Sequence, residues 1–207
     1  MKAGHVFINC PFDAEYERIF HALIFTVMAC DFAPRCAVEE DNAMEVRLHK
    51  IVRIIEECPL GIHDISRTEL DTIHQLPRFN MPFELGIFIG ASHILKTRRL
   101  RRRALVLDRD RYRYQKFLSD IAGQDIRSHD DNPGKAIRAA RDWLAANCQD
   151  RKLPSTGLIT REFELMTATM TPFVKSLGLH AHDLPFVDLK RVIGTWIAQS
   201  PLRRSLL

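Results

Sequence analysis

Hydrophobic positions along this chain fall into two patterns: short continuous runs, and longer stretches where they recur at helical spacing. Val6-Phe7-Ile8 is the first run and predicts a strand, which Pro11 and Asp13 end as they open a helix. In that helix Ile19, Phe20, Leu23, Ile24, Val27 and Met28 form one broad apolar stripe. Arg35 to Val38 is the expected second strand, and Leu48, Ile51, Val52 and Ile55 mark the next helix by an i, i+3, i+4, i+7 pattern. Leu60 to Ile65 predicts the third strand, Met81 to Ile94 the third helix and Ala104 to Leu107 the fourth strand. A helix over Tyr114 to Ile121, a short strand at Asp125 to Arg127, and a helix opened by Asn132-Pro133 and running through Trp143 to Ala146 complete the series.

Strands that alternate with helices predict an α/β domain over residues 1–150, a parallel sheet of about five strands with helices on both faces. The ligand crevice of such a sheet lies at the carboxyl ends of its strands. The character of the sequence changes after Asp150-Arg151-Lys152-Leu153-Pro154. Ile159, Phe163, Met166, Met170, Phe173 and Leu177 make a heptad-like stripe, with Pro172 expected to kink it, and Phe186, Leu189, Ile193 and Trp196 mark a second helix. Residues 155–207 therefore read as a helical hairpin that either packs on the sheet domain or forms a dimer contact.

Composition narrows the class. The chain has 207 residues, 46% hydrophobic and 27% charged, which is enough apolar material for a real core. No apolar run reaches bilayer-spanning length, and the amino-terminal MKAGHVFINCPFD enters a strand pattern without the apolar segment of a secretory signal. Five cysteines without CxxC spacing read as free thiols in a reducing cytoplasm, and no metal site is expected. The net charge of +4 is concentrated in Arg98-Arg99-Leu100-Arg101-Arg102-Arg103 and in Arg109, Arg111 and Arg113. These arginines read either as a solvated connection or as a phosphate-attracting rim. No RNA-binding motif accompanies them, so nucleic acid is not the expected partner.

One stretch stands apart in chemistry. Between Met81 and Ala91 the only ionisable residue is Glu84, near the start of a helix that is otherwise apolar. The helix amino terminus beside Pro82 offers free N–H groups and a positive dipole end, expected to hold the carboxylate ionised. A carboxylate in such a place can attack or stabilise an electron-poor sugar carbon. Alternatively, Glu84 caps its own helix or pairs with Arg78. Gly86 and Gly90, four apart, would let a backbone or ligand come close. Asp64 ends the third strand, where an acid orients a substrate hydroxyl or transfers a proton, or else caps a turn with Ser66. Asn9, Phe12 and Asp13 stand where the same crevice opens, although Asp13 also suits the N-cap of the first helix. Arg78 and Asn80 precede Glu84 within reach of a ribose or phosphate. The Gly-rich dinucleotide fingerprint, the phosphate-binding loop and the GxSxG elbow are all absent.

The segments VFINCPFD (6–13), GIHDISR (61–67) and PRFNMPFELGIFIGA (77–91) resemble a bacterial family related to nucleoside 2-deoxyribosyltransferases and, more distantly, to Toll/interleukin-1 receptor (TIR) domains. The resemblance spans roughly residues 5–146 and implies a flavodoxin-like or TIR-like sheet. It implies that Glu84, in Glu84-Leu85-Gly86, is the residue acting at the anomeric carbon, and that Asp64 orients sugar or base. The chain departs from the transferases in carrying Arg78, Phe79 and Asn80 where they place a further acid, which favours a phosphorylated ligand. The activity so implied is N-glycosidic cleavage of a nucleotide, NAD or a nucleoside monophosphate, by a hydrolase or a base transferase. It would use no cofactor, with NAD entering only as substrate, in a cytoplasmic homo-oligomer. A second reading is a nucleotide-sensing module that signals through its helical tail or a dimer without turnover.

Overall fold

The apolar runs pair into one sheet. β1 (His5–Asn9), β2 (Ala33–Arg35), β3 (Leu60–Asp64), β4 (Arg103–Asp108) and β5 (Arg127–Ser128) are all parallel, in the order β2-β1-β3-β4-β5. This computed structural model describes residues 4–70, 75–94, 102–180 and 184–205. The strand order is that of flavodoxin-like sheets, and its switch point lies between β1 and β3.

Period-two alternation decides which helix covers which face. Val6 and Ile8 of β1, Leu60 and Ile62 of β3, and Leu105 and Leu107 of β4 point to one side, where α1 (Glu17–Ala29) and α4 (Pro133–Asn147) lie. Phe7 points the other way and meets Ile51, Ile54 and Ile55 of α2 (Arg47–Glu57) and Phe88 of α3 (Asn80–Ile94). Val106 and Ile65, farther along the same face, meet Met81 and Leu85 of α3. Each apolar side chain fully buried in this way contributes about 1.5–3 kcal/mol. No helix of the described residues is long and apolar enough to cross a membrane.

The carboxyl-terminal helices close the α1 side. Ile159, Phe163 and Met166 of α5 (Thr156–Ala168) and Phe186, Leu189 and Ile193 of α7 (Phe186–Gln199) belong to the same buried cluster as α1 and α4. Phe163 meets Phe25 edge-on, with ring centroids 5.7 Å apart. Of the two expected placements of this segment, packing on the sheet domain is the one observed.

Several elements differ from the hydrophobic pattern. The second strand is Ala33–Arg35 rather than Arg35 to Val38. Pro34 disguises it, yet proline is tolerated because β2 is an edge strand, and the chain turns at once, Glu39 N–H donating to the Cys36 carbonyl. The last strand is Arg127–Ser128, shifted from Asp125 to Arg127. Tyr114 to Ile121 is not a helix but two 3₁₀ turns, Arg113–Lys116 and Ser119–Ile121, entered through Tyr112 at φ 60°. The stripe from Ile159 to Leu177 is broken rather than kinked, into α5 and α6 (Met170–Ser176). The break falls at Thr169, because Pro172 offers no N–H to Ala168, four residues before it, and crowds its carbonyl. After α7 a short α8 (Leu202–Ser205) follows. Arg98 to Arg101 of the arginine run lie outside the described residues.

Gly61 is set by close approach. A Cβ there would stand 2.7 Å from His63 Nε2 and 2.9 Å from the Phe88 ring. Gly61→Ala is therefore expected to lower stability by about 1–3 kcal/mol through overpacking, read as a lower denaturant midpoint at unchanged slope.

Candidate functional site

The carboxyl ends of the strands carry a layer of polar residues: Asn9 on β1, Asp64 on β3, Asp108 on β4 and His129 just past β5, all buried. Over β1 and β3, at the switch point, lies a cleft of about 430 Å³. Asn9, Phe12, Asp13, Arg78, Asn80 and Glu84 line it, six of the residues expected from sequence. Arg47 and Arg67, to which no role was assigned by sequence, also line it. Arg67 stands in the GIHDISR segment, directly after the strand-end turn, and that position was the available signal. Asp64 and Ser66 do not line the cleft.

Glu84 is the unpaired acid of the cleft among the described residues. Its side chain is only 7% exposed and makes no hydrogen bond or ion pair with a described residue. Neither a capping role nor a pair with Arg78 is observed. The expectation of a carboxylate held ionised by the helix end is corrected by the position. Glu84 lies a full turn inside α3, whose Phe83 N–H already bonds the Phe79 carbonyl, and the dipole effect fades within the first turn. Burial dominates instead and raises its pKa to about 7, against a smaller opposing pull from Arg47. Gly86 and Gly90 face open space, and no part of the described protein packs closely against either.

The other lining residues are anchored to different degrees. Asn9 Nδ2 donates to the Met81 carbonyl at 2.9 Å and meets His63 Nδ1 at 3.1 Å, so its amide hydrogens are committed and its Oδ1 remains to accept from a ligand. Its partner His63 is sealed in apolar surroundings, and burial lowers its pKa to about 3, so it stays neutral. Asp13 accepts from the Tyr16 amide at 3.0 Å in the turn before α1, and from Arg67 at 3.1 Å; it is not the N-cap weighed from sequence, because Tyr16 holds that position with no side-chain cap bond. Arg78 and Asn80 are exposed at the mouth. Cys10 also lines the cleft, but burial, aided by the negative charge of Asp64 and others, pushes its thiol well above the ordinary range and removes it as a rival nucleophile.

Asp64 forms a closed hub beneath this floor. One oxygen accepts the Ser66 amide at 2.9 Å and the Ser66 hydroxyl; the other accepts the Tyr16 hydroxyl at 2.7 Å and stands 3.0 Å from His129 Nε2. Asp64 and His129 are both 0% exposed, and Asp64 does not reach the cleft. His129 Nδ1 accepts the Asp131 amide at 3.1 Å, so this geometry holds the imidazole with its proton on Nε2. Burial opposes its charging, yet the Asp64 bond outweighs burial and its pKa lies above the ordinary value. Asp108 is a second buried acid, bound by Arg113 through Nε at 2.9 Å and Nη2 at 2.7 Å. Arg113 also reaches the carbonyls of Ile65 and Ser66, and Arg109 pairs with Glu69 at 3.0 Å. These two arginines tie the loops after β3 and β4 together rather than forming a phosphate rim.

Compared with known proteins, the chain matches no family model and no curated sequence. Among the described residues no group of three or more His, Cys, Asp or Glu is placed to hold a metal ion.

Burying Glu84 with a pKa near 7 costs the fold stability wherever the group must ionise. The folded value lies above the unfolded one, so no penalty exists below about pH 4.5; it grows as pH rises to about 7 and is constant above, on the order of 3 kcal/mol at about 1.4 kcal/mol per unit. Glu84→Gln is expected to raise stability at pH 8 and to change it little at pH 4.5, a difference that paired denaturation curves at the two pH values would measure.

Proposed function

We propose that this protein cleaves the N-glycosidic bond of a nucleotide, NAD or a nucleoside monophosphate, with Glu84 as the group that acts at the sugar carbon. The observation that carries this reading is the unpartnered, buried carboxyl of Glu84 at the switch-point cleft, with Arg47, Arg67 and Arg78 in the same walls. Structural acids are normally paired when buried, as Asp64 and Asp108 are here. A group that departs from this, in a cleft, with a pKa moved toward neutrality, has the features of a working acid or base.

The chemistry follows from its ionisation. As the bond between C1′ and the base nitrogen breaks, its electron pair leaves with the base. Positive charge develops on the sugar, which the Glu84 carboxylate stabilises or bonds directly. Water then supplies OH to C1′, and its remaining proton goes to the departing base or, when a cationic pyridinium leaves neutral, to solvent. Arg78 and Arg47 suit a phosphate on the sugar, and Asn9 Oδ1 and Asn80 suit its hydroxyls. Asp64 positions β3 and the start of α1 and takes no part in proton transfer. Only ionised Glu84 does this work, so base release is expected to rise between pH 6 and 8 with an apparent pKa near 7.

One observation favours the non-catalytic reading, in which the same cleft senses a nucleotide without turnover. With Asp64 sealed and Asp13 paired to Arg67, Glu84 is the one unpaired carboxylate lining the cleft among the described residues. Incubation with NAD, NADP and nucleoside monophosphates, with chromatography for free base, separates the two. Cleavage predicts release that Glu84→Gln reduces by about a hundredfold or more while binding is kept. No release from any of these at high protein concentration, with nucleotide binding intact, would establish the sensor.

A further inference from the structure

Beside the Glu84 cleft lies a second cavity of about 740 Å³, and the two share Phe12, Asp13 and Arg47 as a common wall. Its other walls come from four places, one of them Lys50 of α2. Phe20 and His21 belong to α1, Val38 and Asp41 to the loop after β2, and Leu184, Pro185 and Phe186 to the start of α7 in the carboxyl-terminal segment. Three phenylalanines stand in these walls, and of them Phe20 and Phe186 are largely buried. Phe12 meets Phe20 edge-on at 5.3 Å, and Phe20 lies 6.1 Å from Phe186. Phe12 is 44% exposed, so part of its surface is open to a ligand.

Charge is graded along the groove. The Glu84 end carries Arg78 and Arg67, the latter paired with Asp13 and Glu15; Arg47 and Asp13 stand at the junction, and the second cavity adds Glu17, Glu40 and Asp41 against the single cation Lys50 among the described residues. A phosphate is drawn to the first two places and repelled from the third, whereas carboxylates there accept from an amino group. The open face of Phe12 beside such acceptors suits a planar base with an exocyclic amine. From this we infer that the cavity is a second subsite, partly built by the carboxyl-terminal helices, which takes an adenine-type base joined through phosphate to the sugar in the Glu84 cleft. It rests on the reading that the Glu84 cleft takes a nucleotide. It makes that site selective for a two-base ligand over a mononucleotide, and it gives α7 a role at the site beyond packing.

The test fills the cavity without touching the Glu84 cleft. Val38→Trp and Leu184→Trp enter from opposite walls, and Val38 is already 43% exposed, so at least one is expected to keep the native melting temperature. The first readout is AMP binding by calorimetry. Loss of base stacking is expected to weaken it by about tenfold to a hundredfold in the filled variants. The second is kcat/KM for base release from NAD against nicotinamide mononucleotide, which carry the same scissile bond. The native protein is expected to prefer NAD by at least about tenfold, and the filled variants to lose that preference while cleaving the mononucleotide as before. Failure of AMP to bind, or equal use of both substrates in native and filled proteins, overturns the subsite and leaves cleavage standing. AMP binding that the tryptophans abolish, with no base released from either compound, keeps the subsite and removes cleavage.

Discussion

The buried Asp64 carboxylate is the constraint on which the carboxyl edge of the sheet depends. A charge taken out of water is costly unless hydrogen bonds replace its hydration, and breaking a buried set of this kind typically costs about 3–5 kcal/mol. The donors come from separate parts of the chain: Tyr16 from the turn that opens α1, Ser66 from the loop after β3, and His129 from the loop after β5. Satisfying one carboxylate therefore fixes three connections that no strand ladder reaches. Asn9 does the same on the other side of β1 by joining His63 of β3 to the first turn of α3. Arg113 extends the arrangement to β4 through Asp108 and the carbonyls of Ile65 and Ser66.

Glu84 owes its character to what this framework leaves out. The first turn of α3 is fixed by Asn9 and by Leu85 and Met81 packing on Ile65 and Val106, so Glu84 cannot turn toward the sealed hub. It faces a cleft whose nearest balancing charge is an arginine too distant to pair. The fold thus carries a carboxyl that would be more stable neutral. Proteins hold such groups where activity conflicts with stability, and the surrounding rigidity absorbs the cost.

Most of the fold was legible because it rests on periodicity. The continuous runs at Val6, Leu60 and Ala104, the 3.6-residue stripes of α1 and α2, and the Asn132-Pro133 start of α4 all formed as strands or helices. The errors fell where repeat and backbone chemistry conflict: Pro34 inside an edge strand, Pro172 inside a stripe, and Tyr112 at positive φ before an apolar segment too short to settle as a helix. Six of the eight proposed site residues could be read from strand-end and helix-start positions, which are local features. The burial of Asp64 and Ser66 could not, because it depends on Tyr16 and His129, 48 and 65 residues away in sequence from Asp64. The ionisation of Glu84 was misjudged for a related reason. A dipole argument needs the residue's place within the helix to one turn, and element ends are the least legible feature of a sequence.

The carboxyl-terminal helices alter what kind of unit this chain is. A sheet of five strands with α2 and α3 on one face leaves α1 and α4 to cover the other, and Ile24, Phe25, Trp143 and Leu144 share one buried cluster with Ile159, Phe163, Met166, Phe186 and Ile193, Phe25 meeting Phe163 directly. Removal of α5 to α8 would expose this surface, so residues 1–150 are not expected to be stable alone even though the sheet closes within them. The same packing brings the start of α7 against Phe20 of α1, whose amino-terminal turn carries Asp13 of the cleft. One aromatic contact and one turn of backbone thus separate the start of α7 from the cleft wall.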